Sequence, residues 1–91
     1  MDFINAVERN KQNPDTFQIP SEEQLDKMEP GFHIKIGHSE ERFWAEVSSI
    51  EDSGSIYAIV DNDLVFEHPF KYGDKILVQR CHIMDMHDFR K

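Results

Sequence analysis

The chain is poor in cysteine, in clustered positive charge and in long apolar runs, and each shortage sets aside a class of protein. Its 91 residues hold one cysteine, Cys81, so no internal disulfide can close and a disulfide-stapled scaffold is ruled out. No charged, apolar and small-residue succession of a signal peptide opens the sequence, and a reducing, cytoplasmic setting is the expectation. The apolar runs fall far short of the roughly 20 residues that span a bilayer, so a membrane is not an expected partner. Lys and Arg number 10 against 18 Asp and Glu, a formal net charge of -8, and they are scattered singly. Such a chain repels phosphate backbones unless a local basic patch overcomes the global field, which argues against nucleic acid.

What is present suffices for one small core. Hydrophobic residues make up 38% of the chain, and ten of the residues are aromatic (seven Phe, two Tyr, one Trp), which supports a folded domain despite 31% charged residues. At this length the chain holds one domain over 1–91 with no room for a separate catalytic lobe. An N-terminal helix and linker are expected over 1–16, the core over 17–86 and a tail over 87–91. Asp2 reads as an N-cap, followed by Phe3, Ile4, Ala6 and Val7 on one apolar stripe, and Asn13-Pro14 ends that helix. Phe17 and Ile19 alternate with polar neighbours in an extended linker. Ser21 with Gln24 makes a capping-box pattern for a second helix, Glu22 and Glu23 suit the positive end of its dipole, and Pro30-Gly31 stops it.

From Phe32 onward the period changes to two. Phe32, Ile34 and Ile36, then Phe43, Ala45 and Val47, then Ile56, Ala58 and Val60 alternate with residues of the opposite face, as half-buried strands do. Polar segments at 37–41 and 51–54 read as hairpin loops, and Asp61-Asn62-Asp63 as a further turn. Leu64-Val65-Phe66, Lys75 to Arg80 and His82-Ile83-Met84 supply the remaining short strands. The expected class is α+β: a small, strongly bent antiparallel sheet, or a partly open SH3-like barrel of about five strands, with two short N-terminal helices.

Phe17-x-Ile19-Pro20-Ser21, the Pro30-Gly31 turn, Glu41-Arg42-Phe43-Trp44-x-Glu46-Val47, Asp61-Asn62-Asp63, Lys71-Tyr72-Gly73-Asp74 and His82-Ile83-x-Asp85 are further landmarks. Together, over residues 17–86, these motifs resemble the small bacterial and phage proteins related to domain-of-unknown-function family 2314, the YegJ-like group. The first 16 residues lie outside the resemblance, and 65–70 depart from the pattern. The resemblance implies a small binding module and carries over no catalytic residue.

The residues themselves offer little catalysis. Cys81, His82, Asp85, His87 and Asp88 are ligating types close together, but their spacing matches no closed tetrahedral site, so neither a metal nor another cofactor is expected. Cys81 and His82 are neighbours, and on a strand they would face opposite sides, which leaves Cys81 as a buried structural thiol. Asp61 and Asp63 straddle Asn62 without the further oxygen ligands a calcium loop needs, and read first as turn formers. Trp44 shares a strand face with Glu46, where an exposed indole flanked by acids makes a contact anchor. The competing reading is that a curled sheet buries Trp44 beneath the N-terminal helix or Phe17.

The functional expectation is a non-enzymatic, acidic binding module, monomeric or homodimeric. It would act as a protein-protein inhibitor or immunity-type protein docking a basic partner, with Arg42, Trp44, Glu46, Tyr57, Asp61 and Asp63 as binding residues. The alternative is a module that sequesters a small ligand, a nucleotide, between aromatic and basic side chains. A metal-dependent hydrolase built on the C-terminal His and Asp cluster is the weakest reading.

Overall fold

The computed structural model of the chain describes residues 3–89. Asp2, read as a helix cap, lies outside them. The first helix, α1 (Ala6–Gln12), starts later than the apolar stripe suggested, because Asn5 is its cap: the Asn5 carboxamide oxygen accepts the Glu8 backbone N–H. Phe3 is not helical. It forms an isolated bridge with His38, and the Ile4 N–H donates to the Gly37 carbonyl. The second helix, α2 (Glu22–Asp26), has the expected reciprocal cap, with the Ser21 hydroxyl accepting from Gln24 N–H and the Gln24 side chain accepting from Ser21 N–H.

Five strands follow: β1 (His33–His38), β2 (Glu41–Ile50), β3 (Ile56–Val60), β4 (Lys75–Val78) and β5 (Asp85–His87), with a 3-10 turn at Arg80–His82. They form one antiparallel sheet in the order β4-β3-β2-β1-β5, so β4 and β5 are edges and the sheet does not close into a barrel. The class is therefore a small α+β domain. β2 is the hinge of the arrangement. Its first half pairs with β1 and its second half with β3, and a bulge lies between Val47 and Ser49.

Alternation places the core as the sequence requires. Ile34, Phe43, Ala45, Val47, Ile56, Ala58, Val60, Ile76 and Val78 are buried on one face, while Phe32 is only partly buried against them. Leu25 of α2, Met28, Phe3, Phe70 and Ile83 complete that cluster, and α1 packs on the 3-10 turn.

Two expected strands fall elsewhere. Leu64-Val65-Phe66 is loop, with Val65 83% and Phe66 56% exposed. Its backbone donors go to a side chain: the Glu41 carboxylate accepts from the Val65 and Phe66 N–H groups. The last strand is not His82-Ile83-Met84 but β5, three residues on, and it takes in His87, assigned above to the tail. Arg80–His82 turns tightly instead, and the His82 Nδ1 accepts the Gln79 N–H.

Candidate functional site

The face of the sheet opposite the core gathers most of the residues singled out from the sequence. Paired residues of neighbouring strands share a face, so the register Lys35 with Trp44 and His33 with Glu46 continues to Glu46 with Ile59 and Ile59 with Lys75. Beyond the bulge Ser49 stands opposite Tyr57, and Tyr57 opposite Leu77. Arg42, Trp44, Glu46, Tyr57, Ile59 and Leu77 thus lie on one surface. Asp61 sits at its border, held by His33, whose Nε2 is 2.8 Å from Asp61 Oδ2. Asp63 is exposed in the next loop and shares none of these contacts.

Trp44 is half-buried, and the rings that pack on it come from the C-terminal segment, while Phe17 lies under Arg42. The Trp44 indole lies 6.4 Å from the Phe89 ring and 6.5 Å from His87, which stacks on Phe89, while the Lys35 ammonium stands 6.0 Å over it. Its backbone N–H donates to the Asn62 side-chain oxygen, which extends the β2–β3 ladder one step past Asp61. His33, Trp44, Asp61, Asn62 and Phe89 line an open groove of about 420 Å³. Two more cations lie over rings of this surface: Arg42 over Phe17 at 5.5 Å and Lys75 over Tyr57 at 5.7 Å.

A second constellation escaped the sequence reading. Glu41 Oε1 lies 2.8 Å from His68 Nε2, and His68 Nδ1 lies 2.7 Å from His38 Nδ1. Because the carboxylate can only accept, a neutral His68 presents its Nδ1 lone pair to the His38 N–H. The Val65 N–H, the Phe66 N–H and then the His68 bond hold the Glu41 carboxyl down from 4.5 to about 2. Phe3, Phe43 and Phe70 wrap the two imidazoles, and His68 stacks on Phe70 at 5.2 Å. An acid–imidazole–imidazole chain is the material of a proton relay. Here the His68 side chain is fully buried, and neither the Trp44 groove nor the cleft at Phe17 is lined by any of the three. The chain acts as a pin: it fastens the 61–70 loop to the β1–β2 hairpin. Glu41 and His68 stand 27 residues apart in sequence, a separation for which no local pattern gives a signal.

Cys81 is a free, half-buried thiol in the 3-10 turn, not a buried strand residue. The strand argument that separated it from His82 does not apply, but His82 is occupied otherwise. Its Nδ1 accepts from Gln79, its ring lies 5.7 Å from Phe3, and burial pushes its pKa below the ordinary histidine value. Among the described residues no three His, Cys, Asp or Glu side chains gather as a metal site, and no helix is long and apolar enough to cross a membrane. No family model, curated protein or solved structure matches the chain.

Proposed function

We propose that this protein is a non-enzymatic binding module that docks a protein of basic surface through the outer face of its sheet, in the manner of an inhibitor or immunity-type protein. The observation that carries the reading is the composition of that face. The core lies on its other side, with Leu25 of α2 packed into it, while Tyr57 and Ile59 stay half-buried and Leu77 47% exposed on the same face as Trp44. Interfaces draw their affinity from such a central aromatic and aliphatic patch inside a polar rim. Glu46 stands in the row of Ile59, Asp61 at the border, and Glu51 and Asp52 in the turn that joins β2 to β3, so the rim offers carboxylates to a basic partner. The net charge of -8 adds long-range steering.

Three finer readings belong to the same proposal. The long, bulged β2, shared between β1 and β3, supports a sheet curled toward a partly open SH3-like barrel. The motifs over 17–86 support a relationship to the YegJ-like family. The single cysteine supports a reducing, cytoplasmic setting, with the protein acting as a monomer or homodimer.

Capture from the native cell tests the reading when three baits are compared. The wild type and an Arg9→Glu control on α1 should retain the same basic protein, and an Ile59→Lys/Leu77→Lys variant should lose it while keeping its melting temperature. Retention by the face variant, or a captured protein that is itself acidic, would overturn the proposal.

A further inference from the structure

At the other end of the same face, the linker through Phe17 and Pro20 stands off from the start of β5 and leaves a cleft of about 320 Å³. Its size falls at the lower end of the roughly 300–1,000 Å³ of small-molecule sites. Phe17, Pro20, Met84 and Met86 are among its walls, and Lys35 and Arg42 both line it. Lys35 pairs with Trp44 and Arg42 with Gly37, so the two cations are diagonal neighbours across β1 and β2, roughly 7–8 Å apart at their bases. Among the described residues neither has a carboxylate at ion-pair distance. Asp85, the cleft's own acid, turns its Oδ1 to the Met86 N–H instead.

Two unpaired cations converging on one cleft are notable in a chain with 18 acids and 10 Lys and Arg. We propose that this cleft binds a mononucleotide-sized phosphate monoester, its phosphate held between Lys35 and Arg42 and its flat ring against the Pro20, Met84 and Met86 walls. The Arg42 guanidinium is already held over Phe17, which presents its planar fork for a two-point bond to phosphate oxygens, and the Lys35 ammonium supplies a third donor. Methionine walls adapt to a flat apolar ring. The chemistry selects a small ester and not a polynucleotide strand, because the field of the whole chain repels an extended polyanion while two local cations suffice for one phosphate. This site stands on a different observation from the docking face and does not depend on it.

Trp44 is the only tryptophan, and Lys35 lies over it, so its fluorescence reports occupancy alongside calorimetry. The full chain should bind adenosine monophosphate at least tenfold more tightly than either inorganic phosphate or adenosine. Arg42→Gln and Lys35→Gln should each weaken that binding at least tenfold without moving the melting temperature, and Arg42→Lys should weaken it less than Arg42→Gln. Lys11→Gln, on the exposed side of α1, should leave it unchanged. No binding at millimolar ligand, equal affinity for inorganic phosphate, or full affinity in the two Gln variants would overturn the proposal.

Discussion

Gly37 of β1 is a place where one added carbon has a calculable consequence. A Cβ built there lies 2.6 Å from Met84 Cε and 2.7 Å from Ile4 Cδ1, both far inside van der Waals contact. The glycine lets the N-terminal segment, bonded through Ile4 N–H to the Gly37 carbonyl, and the chain entering β5 close over the strand together. In a strand where space allows, Gly→Ala gains about 0.5–1 kcal/mol, whereas overpacking a filled site costs about 1–3 kcal/mol. The two atoms are ends of flexible side chains, but Met84 is buried and has little room to yield. Gly37→Ala should therefore lose about 1–2 kcal/mol, measured by urea unfolding with an unchanged slope. Ile4→Val removes the offending Cδ1, so the double variant should lose less than the sum of the singles by about 0.5–1 kcal/mol. A Gly37→Ala protein as stable as the wild type, or more stable, would refute the close packing of the N-terminal segment over β1.

Phe43→Ala empties a position only 2% exposed beside Phe70 and should cost about 3–5 kcal/mol, read as a lowered melting temperature or outright unfolding. Glu41 and His82 both have depressed pKa values in the folded state, so their contributions to stability are present above their ordinary values and lost on acidification. Denaturant midpoints should fall first below the ordinary histidine value and again from 4.5 toward 2, and Glu41→Gln should remove the lower phase alone. Arg80 bonds Glu22 and Asp26, both largely exposed, so Arg80→Ala should shift stability by no more than about 1 kcal/mol in the same assay. Under the docking proposal, association with a captured basic protein should slow as ionic strength approaches physiological values, where the Debye length is about 8 Å, while dissociation changes less.

The central strands were legible because each buries one face, and period two records that directly: of the nine alternating positions from Phe32 to Val60, all but Phe32 are buried. The Ser21–Gln24 cap was equally local and equally readable. The errors in the strands share a cause in long-range pairing. Leu64-Val65-Phe66 has strand-like composition, yet the Val65 and Phe66 N–H groups donate to the Glu41 carboxylate of β2 and not to a strand backbone, and the Trp44 N–H of β2 donates to the Asn62 side chain, so the segment stays a loop. Whether His82-Ile83-Met84 or Asp85–His87 completes the sheet is decided by β1, which lies some fifty residues earlier and pairs His33 with His87 and Lys35 with Asp85. Of the candidate site, the strand face shared by Arg42, Trp44 and Glu46 followed from alternation. Three features came from folding together distant segments: the neighbours of Trp44, the Glu41–His68–His38 chain and the cleft between the linker and β5.

The most direct measurement of the docking claim is hydroxyl-radical footprinting of the protein alone and in complex with its captured partner. Tyr57, Ile59 and Leu77 should lose reactivity on binding, while Val7 and Lys11 of α1 keep theirs. Protection confined to the helices, with the outer face of the sheet as reactive in the complex as in the free protein, would contradict the account.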